Sequence, residues 1–441
     1  MDRAFAGLGV KIPDILLPGP GVDLQKWAVV ACDQYTSQPD YWEGVEKLVK
    51  HFPSTCHLVL PEIYLGRGGE AERICKIHRT MKEYLLDGTL LSCGAGFIYL
   101  ERSTPRVKIR RGLMAALDLE YYDYRPGSPS YIRATEATVL ERIPPRVRIR
   151  EGASLEIPHI MVLIDDPERL VIEPLGRDPA AMKQVYDTDL MMNGGHITGH
   201  LVKGAEQIRG IYRGLRKLAG RSPDGSVFLF AVGDGNHSLA TAKTVWERIK
   251  AAAARGAAFE HPARYALVEL VNVHDEGLRF EPIHRVVFGA PPEVLFAAMR
   301  HFYERKGAVF EIKEENGDIS GSGSGSRLRA QGSHFLAYTT VASSGYIRIQ
   351  NPPHILEAGT LQIFLNDFLK ENKDAGVDYI HGTEVVSGLG RKPGNTGFYL
   401  PPIPKENLYK TVARYGILPP KTFSMGEAEE KRYYMECRKI V

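Results

Sequence analysis

Apolar and polar positions change period several times along the chain, and each change predicts an element. From Gly69 to Leu86, Ile74, Ile77, Met81, Tyr84 and Leu85 recur at helical spacing between charged residues. Asp87-Gly88 supplies the stop. A second amphipathic helix is predicted over 202–220, with Ile208, Ile211, Leu215 and Leu218 on one face and Gly220 at its end. Apolar runs predict strands at WAVVACDQY (27–35), GFIYLERS (96–103), HIMVLIDD (159–166), SVFLFAV (226–232) and YALVELVNV (265–273). RVKIRRGLMAALDLEYYDY adds a partly alternating strand, and RFEPIHRVVF follows the 265–273 run. Two later helices are expected at 359–373 and 404–415, beyond a flexible linker at 316–326, NGDISGSGSGS. Strands alternating with helices predict an α/β (α+β) fold with a mixed-sheet core. The expected division is a core over 1–290 and a smaller region over 291–441, which returns its Pro-Pro-Lys-Thr segment to the core.

Composition narrows the function classes. At 441 residues, with 44% hydrophobic and 25% charged positions, the chain has the make-up of a soluble globular protein rather than a disordered one. Its 56 Lys and Arg against 53 Asp and Glu leave +3, too even for a protein whose main partner is nucleic acid or an anionic membrane. No apolar run approaches the ~18 residues of a membrane span. Five cysteines without a CxxC pair fit neither a zinc site nor a disulfide framework, and a reducing cytoplasm is the expected location.

The sharpest chemical signal is the strand–GDGNHS–helix passage from Ser226 to Ala254. Gly233 and Gly235 permit tight backbone geometry, while Asp234, Asn236 and Ser238 are suited to cap the helix that follows. Unpaired amides and the positive dipole end make such a corner a prepared anion site, to which His237 can add charge or a hydrogen bond. The same pattern also describes an ordinary capped strand-to-helix turn. The GK[ST] ending of a Walker A loop and the GxGxxG of a Rossmann unit are both absent.

Other positions carry two readings each. His196 and His200, four apart in GGHITGH, either share a helical face as a metal pair or are structural. Asp165-Asp166 reads as a cation ligand or as a turn opening a helix. Arg285 reads as a fork for phosphate or carboxylate, or as half of a buried ion pair. Glu136 is a general base or a solvated strand residue, and Lys421, after two prolines, is a phosphate contact or a surface lysine. RVKIRR (106–111) and RVRIR (146–150) read as strand faces before they read as polyanion surfaces. No GxSxG elbow occurs, and no motif sets a cysteine against a histidine.

The order of these pieces resembles the bacterial family named domain of unknown function 1015, whose core signature is similar to ParB and sulfiredoxin proteins. GLMAALDLEYYDY and IRATEATVLERIPPRVRI look like the family's strand and its His-Glu-x-Thr and Asp-Arg segments. HIMVLIDDPE looks like its next strand; HITGHLV and FAVGDGNHSLATA look like its His-Leu-Trp and Asp-Gly-His-His-Arg-Tyr segments. VNVHDEGLRFEPIHRVV and ILPPKTFSMG look like its Asp-x-Gly-Leu with Pro-Thr-His-Arg block and its Pro-Pro-Lys-Ser-Thr block. The chain departs from that pattern at Thr135 (His in the family), Asn236 (His) and Ser238 (Arg).

The resemblance implies a nucleotide-dependent phosphotransferase acting on a small hydroxylated metabolite such as free serine, with ATP or a related donor and Mg²⁺. It implies a ParB/sulfiredoxin-like strand–loop–helix unit in which Gly233, Asp234, Gly235, Asn236, His237 and Ser238 hold phosphates. Asp234 would place the metal, Arg285 and Lys421 would supply the cation lost at Ser238, and Glu136 would accept the substrate proton. The alternative implied by the same likeness is a non-catalytic nucleotide- or nucleic-acid-binding regulatory module.

Overall fold

The structure is a computed structural model that describes residues 2–36, 38–220, 227–253, 261–315, 332–426 and 428–441. The predicted linker at 316–326 and the outer ends of the 226–254 passage lie outside the described residues. The chain forms two compact units, one of Met1–Arg279 with Gly426–Val441, the other of Phe280–Met425.

The first unit is built on a ten-stranded mixed sheet. Its main strands are β1 (Phe97–Ser103), β2 (Arg110–Asp118), β3 (Ile132–Ala134), β4 (Met161–Ile164), β5 (Lys183–Asp189), β6 (His196–Val202), β7 (Phe230–Asp234) and β8 (Tyr265–Asn272). They run in the order β5-β6-β1-β2-β8-β4-β7-β3, with Tyr122–Asp123 beyond β3 and Val10–Lys11 against β2. The β8/β4 and β7/β3 pairs are parallel; β4 and β7 are antiparallel.

Successive side chains leave a strand on opposite faces, and both faces of this sheet are covered. Phe97, Tyr99, Leu113 and Ala115 pack on one side against helices α3 (Ala205–Ala219) and α4 (Asn236–Ala252), through Ile211, Leu215, Leu239 and Trp246. Ile98, Leu100 and Met114 face the other side, under Ile77, Met81 and Tyr84 of α1 (Glu70–Leu86). Trp27, Leu58, Met435 and Cys437 complete that second layer. The continuous apolar runs of β2 and β8 are therefore central strands, while Gly112 leaves room for a charged intruder: a Cβ there would stand 2.2 Å from Glu269.

The second unit holds a six-stranded sheet whose pairs are all antiparallel. In chain order its elements include β9 (His284–Phe288), α5 (Pro292–Arg305), β10 (Val309–Glu314), β11 (Ser333–Thr339), β12 (Ser344–Gln350), α6 (Glu357–Glu371), β13 (Gly376–Ile380) and β14 (Thr396–Tyr399). Leu295, Met299 and Tyr303 of α5 and Leu361 and Phe364 of α6 cover one face of the sheet. The helix predicted at 404–415 is found at Lys405–Tyr415.

Three local expectations are corrected. The buried run Trp27–Tyr35 is not a regular strand: it makes a single bridge, Val30 with Arg432. Ala31 N–H donates to Lys431 O, and Tyr433 N–H to Val29 O, so its partner is the far end of the chain. RVRIR is not a strand face but the body of α2 (Ile143–Arg150), which Pro144 and Pro145 open because proline suits the first helical turn. Its arginines pair with Glu62, Glu70 and Glu156. His196 and His200 lie on β6, not on a helix.

Candidate active site

β7 leaves the sheet through a bulge. Val232 pairs with Val162 and Asp234 with Met161, so Gly233 is the extra residue that turns the strand end. The Val232 carbonyl accepts from Thr135 Oγ1 at 2.6 Å, which ties the segment after β3 to this corner. In the parallel β3/β7 register Ala134 lies opposite Val232, and Glu136, two residues past the end of β3, is near enough for its charge to act on Lys431.

Gly235 then sits at φ +80°, where an L side chain is strained, and a Cβ there would stand 3.0 Å from Ile160 Cγ1. Gly235 is itself the N-cap of α4, and no side chain caps the helix. This corrects the expectation that Asp234, Asn236 or Ser238 would cap it. The first internal bond of α4 is Leu239 N–H to Gly235 O at 3.0 Å, which leaves the Asn236, His237 and Ser238 amides ahead of the helical ladder. Asn236 is 7% exposed, and its Oδ1 is buried without a hydrogen-bond partner.

The side chains around this corner come from both ends of the first unit. Asp234 Oδ1 accepts from Gly235 N–H at 2.9 Å, and Oδ2 pairs with Lys431 Nζ at 3.5 Å. Burial disfavours the Lys431 ammonium, but the Asp234, Asp33 and Glu136 carboxylates outweigh it and raise the group above its ordinary value. Asp33 is buried too, which would raise it, yet His159, a hydrogen bond from Gln34, Lys431 and Arg146 hold it below the usual carboxylate range. Burial lowers the His159 ring against the pull of Asp33 and Asp234, with Arg146 and Lys431 adding to the lowering. The ring of Tyr433 stands edge-on to His159 at 5.0 Å. His159 Nε2 meets Ser238 Oγ at 3.0 Å, and His237 Nε2 accepts from Val139 N–H at 3.1 Å.

Neighbouring groups are accounted for differently. The Cys32 thiol is pushed up to about 12 by burial and by the Asp33 charge, so it is no nucleophile at neutral pH. Asp166 accepts from the Leu170 and Val171 amides within a turn that opens no helix, and Asp165 pairs with His274 at 2.7 Å. His196 is held between Asp187 and Asp189.

The sequence-derived residues thus fall in two places. Glu136, Gly233, Asp234, Gly235, Asn236, His237 and Ser238 come together in the first unit. Arg285 and Lys421 belong to the second unit, where Arg285 is fully buried. Arg285 donates to the carbonyls of Ile283, His284 and Pro420 and to Gln362 Oε1, and stacks over Tyr379 at 4.3 Å. Burial lowers it to about 10, against the pull of Tyr379. It therefore braces the turn that carries exposed Lys421 at φ +52°. Sequence reasoning missed Lys431, Asp33 and His159. Asp33 and His159 lie in the 27–35 and 159–166 runs, whose pattern reads only as strand, and Lys431 lies in no motif; the one trace is the apolar Trp27–Ala31 run, which pairs with residues 431–433.

Magnesium places a definite demand on this corner. Among the described residues no group of three or more His, Cys, Asp or Glu side chains is arranged to hold a metal ion. The three carboxylates converge on an ammonium instead. A protein-only cage does not fit, whereas Mg²⁺ carried by phosphates needs only one or two carboxylates, which Asp234 can help to supply.

The family model described as Protein of unknown function (DUF1015) matches residues 16–363, and the chain belongs to that family. No curated protein matches it. Among solved structures it is similar to a free serine kinase in complex with AMP, at 11% identity and a TM-score of 0.36, over 71% of this chain and 88% of that one. It is similar as well to a conserved hypothetical protein from Pyrococcus furiosus, at 12% identity and a TM-score of 0.33, covering 71% and 90% of the two chains. SbnI from Staphylococcus aureus, truncated at its C-terminus, gives 10% and 0.33 over 70% and 84%. No described helix is long and apolar enough to cross a membrane.

Proposed function

We propose that this protein is a nucleotide-dependent phosphotransferase that phosphorylates a small hydroxylated metabolite, free serine being the first to try, in the cytoplasm. The observation that carries this reading is the Lys431 ammonium, held charged by Asp234, Asp33 and Glu136 at the uncapped start of α4. Phosphoryl transfer asks a protein chiefly for positioned charge and positioned donors, and this corner offers both. Lys431 and the first-turn amides bind the transferring phosphate. Glu136 accepts the proton of the attacking hydroxyl, and His237, bonded to Val139, fixes the segment on which Glu136 sits. Asp234 would help to hold Mg²⁺ brought in by the nucleotide, and the ion would supply charge neutralisation of the phosphates. Lys421 is an exposed cation of the second unit and Arg285 the brace of its Pro-Pro turn, and neither is assigned to this corner. The ParB/sulfiredoxin likeness belongs to the same reading, with β7, the 233–235 turn and α4 as its core unit.

A phosphorus-NMR screen of the purified chain with Mg²⁺, ATP, ADP or pyrophosphate and pooled hydroxy-metabolites tests this. A new phosphoester signal is expected; donor intact in every pool contradicts the reading. Near-even charge favours a small ligand over duplex nucleic acid, and flat salt dependence of any DNA binding is the expected companion result.

A further inference from the structure

Ser238 occupies the first turn of α4, and its hydroxyl behaves unlike the others on that helix. Thr241 and Thr244 return their hydroxyls to carbonyls four residues back, His237 O at 2.7 Å and Ala240 O at 2.9 Å. Ser238 Oγ instead meets His159 Nε2 at 3.0 Å, on the segment that leads into β4. With the ring proton on Nδ1, Ser238 donates and Nε2 accepts, the arrangement that activates a hydroxyl for attack. Ser238 and His159 are both of intermediate exposure. The groups facing the ring are Asp33 and Asp234, which favour its protonated form, and Arg146 and Lys431, which oppose it; burial tips the balance to the neutral imidazole.

We propose that Ser238 and His159 form a nucleophile–base pair, and that Ser238 Oγ carries the phosphoryl group between nucleotide and acceptor. This rests on the phosphotransferase reading above. In the first step Ser238 Oγ attacks the terminal phosphorus of a nucleoside triphosphate. The Oγ–P bond forms, the bond to the bridging oxygen breaks, the hydroxyl proton passes to His159 Nε2, and the nucleoside diphosphate leaves. In the second step the acceptor hydroxyl attacks the phosphoserine and gives its proton to Glu136. The Oγ–P bond breaks and His159 returns its proton to Ser238. Glu136 then releases one proton to water, which balances the overall transfer. Asp33 is a positioning residue, acting on the ring through its charge.

Incubation of the full chain with Mg²⁺ and ATP without acceptor, acid quench and peptide mass analysis is the direct experiment. Phosphate on Ser238 is expected, lost when hydroxy-amino acids are added. Ser238→Ala, checked for native circular dichroism, is expected to lower turnover at least 100-fold, and His159→Gln to slow labelling by a similar factor. A chiral-phosphorus donor should give net retention, the mark of two displacements. Unchanged turnover in Ser238→Ala, or inversion at phosphorus, overturns the pair while leaving the phosphotransferase reading intact. If the wild-type chain consumes no donor at all, that reading fails by itself. A fluorophosphonate probe then decides the pair: His159-dependent labelling of Ser238 upholds the nucleophile, and its absence overturns it.

Discussion

Lys431 Nζ stands 3.5 Å from Asp234 Oδ2, so the last stretch of the chain supplies the cation for a corner that its middle builds. The two side chains are 23% and 27% exposed, which places the pair between a surface bridge worth little and a buried one worth much. Its value lies in position. Lys431→Met should weaken phosphate-ligand binding by about 10- to 100-fold, the loss expected for a charge-assisted hydrogen bond of ~1.5–3 kcal/mol. Calorimetric titration with ADP in wild-type and variant chains checks it.

Glu136 and His237 are predicted to fail in different ways. Glu136→Gln removes the proton acceptor and should cut turnover by about 10²- to 10⁴-fold with little change in nucleotide affinity. His237→Ala removes the acceptor of the Val139 N–H, loosening the Glu136 segment; a higher KM for the acceptor and a smaller loss in kcat are expected. Steady-state kinetics with the acceptor found by the phosphorus-NMR screen separate the two.

Gly235 is required by backbone conformation. At φ +80°, with Ile160 against the missing Cβ, Gly235→Ala should destabilise the first unit by about 1–2 kcal/mol. Urea unfolding followed by tryptophan fluorescence reads this, since all three tryptophans, Trp27, Trp42 and Trp246, are buried in the first unit.

Much of this architecture was legible where one element's pattern determines its own structure. The helix at 70–86, the central strands at 110–118 and 265–272 and the turn into α4 all follow from period, run length and glycine. What could not be read depends on partners remote in the chain. Trp27–Ala31 is apolar enough for a strand, but it pairs with residues 431–433, and no local pattern announces such a meeting. The same pairing delivers Lys431 to Asp234 and brings Tyr433 to His159. The Arg146–Arg150 alternation misled because Pro144-Pro145 outweigh a two-residue period at a helix start. The sequence shows Arg285 only as a forked donor; its acceptors, three backbone carbonyls and Gln362, are remote or main-chain groups that a sequence does not display.

Buried Glu436 sets a pH dependence of stability. Burial, aided by the Glu269 charge, raises its carboxyl to about 7, although Tyr186 O–H donates to it at 2.7 Å. The folded state therefore binds a proton that the unfolded chain has released, between about 4.5 and about 7. This contribution falls as pH rises through that window, by on the order of 3 kcal/mol, and is constant above it. Glu436→Gln should flatten that part of the stability–pH curve in urea melts at pH 5 to 8.

Arg285→Met tests bracing against phosphate binding. Three carbonyls and Gln362 would lose their donor, so thermal unfolding should shift down, with a cost of about 2–4 kcal/mol. An unchanged melting curve would show that the guanidinium is not a brace.

The most direct test of the phosphate-binding corner is a phosphorus-NMR titration of ADP with the wild-type chain and with Lys431→Met. The account predicts a shifted and broadened β-phosphate resonance with wild-type protein, and at least tenfold weaker binding in the variant. An unperturbed resonance with wild-type protein, or equal affinity in both, would contradict it.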